Sequence, residues 1–312
     1  MKEQTLIQNI LSQVQKAVLG KGPVLAKVLV AILARGHVLL EDIPGVGKTT
    51  LALAFSKALG LRYQRVQFTP DVMPSDLTGF SLYNRETRAF EYRPGALMCN
   101  LFLADELNRA TSRTQSALLE AMEEGQVTVD GVSRPIAQPF IVIATQNPVG
   151  AAGTQPLPDS QLDRFAVRLT LGYPSRQAET VMIREHQLGN PLDQVEQAAD
   201  HAALEQLRRA ADQVYLSDEV LEYLLSLISA TRRDAMILQG ASPRAALALA
   251  CVSRALALAS GRDYVIPEDV RAMFSDVIAH RLILAPKAGA TEQARTELLN
   301  QLVRSVRAPR LH

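Results

Sequence analysis

The sequence predicts an α/β fold, in which helices cover both faces of a parallel β-sheet, followed by a smaller all-helical domain. In the first half of the chain, short apolar runs alternate with segments of helical periodicity, as a parallel sheet requires. The second half has helical periodicity almost throughout. We therefore predict an α/β domain over residues 1–172 and a helical domain over residues 173–312.

The elements of the first half follow in chain order from the positions of the apolar residues. We predict helices over 6–19 and 24–34, a strand over 37–40, a helix over 49–59, and strands over 63–68, 101–104 and 140–145. Two segments, near 80–93 and 126–137, have the alternation of antiparallel hairpins and are interpreted as insertions. In the second half, Ser217 and Pro267 mark the starts of two helices.

The composition is typical of a globular protein in water. The 312 residues include 33 Lys and Arg against 32 Asp and Glu, and this net charge of +1 makes a nucleic-acid partner unlikely on electrostatic grounds. Cys99 and Cys251 are too few for a disulfide framework or a four-cysteine zinc site, so we expect a cytoplasmic protein. The longest apolar run, 24–33, is too short to span a bilayer, so we expect no membrane segment.

A glycine-rich loop joins the first predicted strand to the helix that follows it. Residues 41–50 read EDIPGVGKTT, and a loop of this kind between a strand and a helix is typical of a P-loop. Gly45 and Gly47 allow backbone N–H groups to surround phosphates, and the helix N-terminus adds the positive end of its dipole. The alternative is a glycine-rich turn that binds no nucleotide.

The side chains of this loop fit the polyphosphate and Mg²⁺ of ATP. We expect Lys48 to reach the β- and γ-phosphates and the hydroxyl of Thr49 to ligate Mg²⁺. Asp42 departs from the general pattern, because a glycine usually stands at its position. The predicted phosphate-binding segment is Pro44, Gly45, Val46, Gly47, Lys48, Thr49 and Thr50.

Two further predicted strands end in polar residues. Asp105 and Glu106 follow the strand over 101–104, and adjacent carboxylates at a buried strand end are costly unless they serve a cation and a water. We expect Asp105 to organise Mg²⁺ and Glu106 to orient the attacking water. Asn147 follows the last predicted strand and is a candidate to hold that water or the γ-phosphate; alternatively, it opens a turn before a proline.

These motifs resemble the AAA+ ATPases and, within them, the MoxR family. The resemblance is carried by LLEDIPGVGKT (39–49), QFTPD (67–71), PSD (74–76), RPG (93–95), ADELNRA (104–110), QSALLEAMEE (115–124), ATQNP (144–148), QLDRF (161–165), SPR (242–244), IPEDV (266–270) and HR (280–281). It implies a five-stranded P-loop sheet with a helical lid. It also implies a ring, usually hexameric, with ATP at each subunit boundary.

The resemblance implies roles for arginines as well. Arg164 matches the arginine finger, which supplies positive charge to the ATP of the neighbouring subunit; a plain ion pair with the adjacent aspartate is the alternative. Arg244 resembles the sensor arginine that links the lid to the γ-phosphate, unless it is a solvated residue at a helix start. Arg109 could serve either the site or the subunit boundary.

Two other regions take their expected roles from the family. In such proteins the segment before the P-loop frames the adenine, and here it consists of Val18, Leu19 and Gly20. Val18 and Leu19 could equally belong to the core. The two hairpins resemble the insertions of the helix-2-insert clade. Their aromatic residues are candidates for client contact or for cross-strand packing: Tyr83, Phe90 and Tyr92.

The function implied is an ATP-driven remodeller of a protein client, with a von Willebrand factor A domain protein as partner. A nucleic-acid motor is a first alternative, which the balanced hairpin charges disfavour: Arg85, Arg88 and Arg134 against Glu86, Glu91 and Asp130. A nucleotide-gated scaffold with little turnover is a second. The intact Asp105–Glu106 pair disfavours it.

Overall fold

The computed structural model describes residues 2–147, 157–289 and 291–309. In these ranges the α-helices are α1 (Lys2–Ala17), α2 (Gly22–Leu33), α3 (Lys48–Ala58), α4 (Pro74–Thr78), α5 (Ser112–Glu124), α6 (Asp159–Leu162), α7 (Arg176–Leu188), α8 (His201–Gln213), α9 (Asp218–Arg233), α10 (Pro243–Ala259), α11 (Pro267–Ile278) and α12 (Glu292–Ser305). The strands are β1 (Val38–Glu41), β2 (Tyr63–Gln67), β3 (Gly79–Asn84), β4 (Ala89–Pro94), β5 (Leu101–Asp105), β6 (Gln126–Val129), β7 (Val132–Pro135), β8 (Ile141–Gln146), β9 (Val167–Leu169), β10 (Ile237–Gln239) and β11 (Ile283–Leu284).

Five parallel strands form the central sheet, in the order β2-β5-β8-β1-β9. Every residue of β5 and β8 is buried, which explains their nearly continuous apolar sequences. Successive residues of β5 alternate between two cores, because Leu101 and Leu103 pack on one face and Phe102 and Ala104 on the other. The predicted parallel sheet is confirmed.

The fifth strand, β9, was not located from the sequence. It has only three residues, and a charged residue, Arg168, stands at its centre. The structure explains this charge, since Arg168 Nη1 lies 2.8 Å from Glu41 Oε2 on the neighbouring strand β1. A short, interrupted strand of this kind gives no apolar run to read.

Two antiparallel hairpins, β3–β4 and β6–β7, lie outside the sheet at the predicted positions. Tyr92 belongs to the framework, because its hydroxyl donates to Thr78 O at 2.6 Å and the guanidinium of Arg134 lies 4.1 Å from its ring centre. The Arg134 contact joins the two hairpins. Tyr83 and Phe90 instead pack edge to face at 5.4 Å on the outer side, and Phe90 is 74% exposed.

The helical half packs on the same sheet face as α1, α2 and α3, so a single apolar cluster continues from the sheet into α8–α11. Helix starts match the sequence signals, as Ser217 Oγ accepts a hydrogen bond from Val220 N and Pro267 begins α11. No helix in the described ranges has the length and apolar character needed to cross a bilayer.

The topology fixes where polar residues collect. In a parallel sheet the carboxyl ends of all strands meet at one edge, so the residues that follow β1, β5 and β8 become neighbours. These are the P-loop, the Asp105–Glu106 pair and Asn147, which β1, β5 and β8 bring to one place.

Candidate active site

The backbone of the P-loop has the conformation needed to curve around an anion. Gly45 and Gly47 have φ values of 85° and 94°, in the left-handed region that glycine adopts without strain. A Cβ at either position would meet open space, so backbone conformation is what requires glycine there. No side chain caps the first turn of α3, and its N–H groups remain available to phosphate oxygens.

A cavity of about 390 Å³ lies at this edge of the sheet. It brings together the P-loop and the strand-end residues that the sequence predicted for one site. Its lining consists of Pro44, Gly45, Gly47, Lys48, Thr49, Thr50, Arg65, Gln67, Asp105, Glu106 and Asn147.

Lys48 is held at the base of the cavity. Its Nζ donates a 2.7 Å hydrogen bond to the backbone oxygen of Asp42. Burial lowers the pKa of Lys48, while the negative charges of Asp42, Asp105 and Glu106 act against that change. A partly buried ammonium group in this position favours an anionic ligand such as a phosphate.

Asp105 is fixed through both of its oxygens. Thr145 Oγ1 donates to Oδ1 at 2.7 Å, and Arg65 Nη2 lies 2.7 Å from Oδ2. Sequence reasoning missed Arg65, which lies on the edge strand β2. The sequence feature that could have pointed to Arg65 is the polar and charged character of β2. The last residue of that strand, Gln67, pairs with Asp105.

Glu106 lies between two hydrogen-bond donors. Arg109 Nη1 lies 2.9 Å from Oε2, and Asn147 Nδ2 donates to Oε1 at 3.2 Å. The hydrogen bond from Arg109, followed by that from Asn147, lowers the pKa of Glu106 and keeps its carboxylate ionised. Arg109 therefore contacts a predicted site residue of its own chain.

Asn147 combines a fixed backbone with a free acceptor. Asn108 Nδ2 donates to Asn147 O at 3.2 Å and so orients the residue. The side-chain oxygen Oδ1 is buried and has no donor within the described part of the chain. A buried acceptor without a partner is costly, and a water molecule in the cavity would satisfy it.

The donors at the cavity fit Mg²⁺ but not a metal held by protein alone. Thr49 and Asp105 line the same space, while residues 2–147, 157–289 and 291–309 contain no group of three or more His, Cys, Asp or Glu residues suited to a metal. Mg²⁺ keeps several waters and takes further oxygens from phosphates, so two protein ligands suffice.

A smaller apolar pocket of about 70 Å³ adjoins the phosphate cavity and shares Gly45, Gly47 and Thr50 with it. Its lining includes Val18 and Leu19, for which an adenine contact stays a prediction, together with Val46, Pro174 and Met182. No pattern in the sequence pointed to Pro174 and Met182, which come from the start of the helical half. Gly20 is not part of this lining; its backbone packs close to Ala178.

Asp42 replaces the first P-loop glycine for a structural reason. Its carboxylate accepts hydrogen bonds from the backbone N–H groups of Leu171 and Gly172. Lys21 holds the same turn from the other side, because its Nζ donates to the carbonyls of Leu171, Gly172 and Tyr173 at 2.7–2.9 Å. The P-loop is thereby attached to the segment that leads into the helical half.

Arg164 and Arg244 do not line the phosphate cavity of their own chain. Both instead bind Glu123 on α5, with Arg164 Nη2 3.0 Å from Oε2 and Arg244 Nη2 on Oε1. The hydrogen bond from Arg244 is the largest cause of the lowered pKa of Glu123. Arg164 thus forms an ion pair in this chain, but with Glu123 and not with the adjacent Asp163, which pairs with Arg281.

Comparison with known proteins identifies the family. Residues 37–167 match the ATPase family associated with various cellular activities, and residues 229–302 match the AAA lid domain. Chaperone MoxR1 of Mycobacterium tuberculosis is 36% identical, with 98% of this chain and 83% of that protein covered. The chain belongs to the MoxR family of AAA+ ATPases.

Two other proteins resemble this MoxR-family chain along nearly their whole length. An uncharacterised protein of Bacillus subtilis is 42% identical, with 97% of this chain and 95% of that protein covered. The crystal structure of a proposed ATPase from Cytophaga hutchinsonii has a TM-score of 0.90 and 35% identity, and covers 99% of this chain and 96% of that one. The predicted AAA+ core with a helical lid is confirmed.

Proposed function

We propose that this MoxR-family protein hydrolyses ATP at sites shared between neighbouring subunits of a ring. The separation of two groups of residues supports this function. Lys48, Glu106 and Asn147 meet at one cavity, whereas Arg164 and Arg244 meet at Glu123, outside that cavity. A second copy of the chain would bring the arginines of one subunit to the phosphates of the other.

Each group has a chemical task in hydrolysis. Lys48 and the P-loop N–H groups bind the β- and γ-phosphates of ATP, and Asn147 Oδ1 accepts a hydrogen bond from the attacking water. The water oxygen forms a bond to the γ-phosphorus as the bond to the bridging oxygen breaks, so that ADP leaves with that oxygen. Glu106 is the proton acceptor for the water, and the proton passes on to solvent or phosphate.

Two further contributions stabilise the charge that develops. Mg²⁺, when bound by Thr49 and through waters by Asp105, neutralises phosphate oxygens. Arg164 and Arg244 of the neighbouring subunit contact the γ-phosphate as negative charge spreads over its oxygens. Because an arginine finger contributes about a thousandfold or more to the rate, we expect Arg164→Ala to slow hydrolysis by roughly that factor.

The work driven by ATP is remodelling of a protein client in the cytoplasm, with a von Willebrand factor A domain protein as partner. A relative named chaperone MoxR1 supports the remodelling part. The exposed Tyr83 and Phe90 offer an apolar surface on the β3–β4 hairpin to which a client could bind. We propose a hexamer, with the boundary between the nucleotide-binding domain and the lid near residue 172.

The ATPase rate per subunit, measured against protein concentration with light scattering alongside, tests the shared site. We expect the rate to rise as oligomers form, and Glu106→Gln to bind ATP without turnover. A concentration-independent rate in a monomer would contradict shared sites. Tight ATP binding with no turnover in the unmodified protein would favour the nucleotide-gated scaffold instead.

A further inference from the structure

Asp163 precedes Arg164 in the chain, but its carboxylate is used elsewhere. Oδ1 accepts a 2.8 Å hydrogen bond from Arg281 Nε. Ser242 Oγ lies 3.2 Å from Oδ1 and 3.1 Å from Oδ2. One carboxylate thus connects the Arg164 segment to two separate parts of the helical half, the turn after α11 and the start of α10.

Arg281 holds the backbone around Arg164. Its side chain is 2% exposed, and its guanidinium donates to the carbonyl oxygens of Asp163 (3.1 Å), Phe165 (2.8 Å) and Ala166 (3.4 Å). A buried guanidinium needs an anion, and Asp163 supplies it. The backbone on either side of Arg164 is therefore fixed to the helical half.

Ser242 places the second arginine. It is the N-cap of α10, where its Oγ accepts a hydrogen bond from Ala245 N at 3.2 Å. Arg244 is the second residue of that helix. Because the same Ser242 hydroxyl also contacts Asp163, the start of α10 is fixed relative to the Arg164 segment.

The spacing that results suits a single anion. Arg164 and Arg244 reach different oxygens of the Glu123 carboxylate. Guanidinium groups recognise carboxylate and phosphate oxygens with similar geometry. Two arginines that bind one carboxylate together are also suitably spaced to bind one phosphoryl group.

The geometry points to Asp163 as a positioning residue, which acts through Arg281 and Ser242 to set Arg164 and Arg244 for joint contact with the γ-phosphate of a neighbouring subunit. This inference rests on the shared-site function proposed above. Asp163 does not line the cavity of its own chain, so its effect is on the subunit whose ATP faces the two arginines.

Asp163→Ala tests this role, because its effect on kcat can be measured separately from its effect on ATP binding. We expect kcat to fall by up to about a hundredfold, as displaced catalytic groups do, with an unchanged Kd for a fluorescent ATP analogue. Asp163→Asn keeps an acceptor for Arg281 and can donate to Ser242, but it leaves Arg281 without its anion, so we expect it to retain more kcat than Asp163→Ala while lowering the thermal stability. Ser242→Ala removes the contact with α10 alone and should give a smaller loss of kcat.

Asp269→Asn is a matched control. Asp269 forms a partly buried ion pair with Arg262 at 2.6–2.7 Å in the same helical half, at the start of α11. Its loss should lower the thermal stability and leave kcat unchanged. Equal losses of kcat in Asp163→Ala and Asp269→Asn would show a general effect of lid stability and would overturn the positioning role.

Mixed oligomers show on which subunit Asp163 acts. An Asp163→Ala subunit has an intact ATP site, and a Glu106→Gln subunit has intact arginines, so mixing them should restore activity at about half of the Asp163→Ala sites. Arg164→Ala mixed with Glu106→Gln is the comparator. Restoration of Arg164→Ala but not of Asp163→Ala would overturn the inference and leave the shared site standing. If neither variant is restored, the shared site itself is wrong. In the single-variant experiment, an unchanged kcat in both Asp163→Ala and Ser242→Ala would also overturn the inference.

Discussion

Glu106 has an unusual backbone conformation for a residue with a side chain. Its φ of 56° lies in the left-handed region, which costs a residue other than glycine about 1–2 kcal/mol. Thr145 Oγ1 accepts a hydrogen bond from its backbone N–H at 2.8 Å, and Arg109 and Asn147 hold the carboxylate. The surroundings of Glu106 thus impose the strained conformation that directs the carboxylate into the cavity.

Arg109→Ala should change the pH dependence of hydrolysis. Removing Arg109 removes the largest cause of the lowered pKa of Glu106, so this pKa rises. In the proposed mechanism Glu106 acts in its ionised form, so activity is lost as the pH falls through its pKa. The acid limb of kcat/KM should therefore move to higher pH in the variant. Arg113→Ala, which removes an exposed charge on α5, is the control, and coincident acid limbs in all three proteins would contradict this role of Arg109.

Asp42→Gly restores the residue that P-loops usually have and should nevertheless destabilise this protein. The carboxylate of Asp42 is nearly buried and accepts from the Leu171 and Gly172 amides, which would lose a charged acceptor. We expect a loss of about 1–3 kcal/mol in the free energy of unfolding, measured by urea denaturation. Asp42→Asn, which retains one acceptor oxygen, should lose less. Equal stability of Asp42→Gly and the unmodified protein would rule out the attachment.

The sequence allowed much of the site to be predicted, for a physical reason. The P-loop, Glu106 and Asn147 each follow a strand of the parallel sheet and Asp105 ends one, and such strand ends meet at one edge. Arg65 and the Asp42 contacts could not be predicted in this way. They depend on which strands and turns become neighbours across long stretches of chain, and periodicity contains no such information.

At the scale of elements, the same distinction holds for the strands. The four longer sheet strands were predicted within one or two residues, and three of them, β1, β5 and β8, have apolar runs. The three-residue strand β9 depends on its pairing with β1 and on the Arg168–Glu41 ion pair, so its own sequence did not reveal it. The hairpins were predicted from their alternation, but their mutual packing through Tyr92 and Arg134 was not.

Tyr92 and Phe90 should differ in their contribution to stability. Tyr92→Ala removes the hydrogen bond to Thr78 and the Arg134 contact, so we expect a loss of about 1–3 kcal/mol. Phe90→Ser removes a side chain that is 74% exposed and should cost less than about 1 kcal/mol, with the ATPase rate unchanged. Thermal unfolding of both variants is the measurement. A larger loss for Phe90→Ser than for Tyr92→Ala would reverse the assignment of framework and outer surface.

At the scale of the whole molecule, the proposed mechanism depends on the positions of the arginines. The phosphate cavity lies at the carboxyl edge of the sheet, and Arg164 and Arg244 lie together on Glu123 outside it. The helical half contacts the Arg164 segment through Arg281, and Asp42 and Lys21 attach the P-loop to the 171–173 turn that leads into the helical half. In the proposed ring, we therefore expect a movement of the lid to act both on the ATP of its own chain and on the arginines that contact the neighbouring ATP.

The structure of the assembled Glu106→Gln protein with ATP and Mg²⁺, determined by electron cryomicroscopy, tests the shared site most directly. The decisive quantity is the distance from the Arg164 guanidinium to the nearest γ-phosphate oxygen. We expect about 3 Å, the length of a hydrogen bond, to the ATP of the neighbouring subunit, with Glu123 released. Arg164 remaining on Glu123, with only residues of the same chain around the γ-phosphate, would contradict a site shared between subunits.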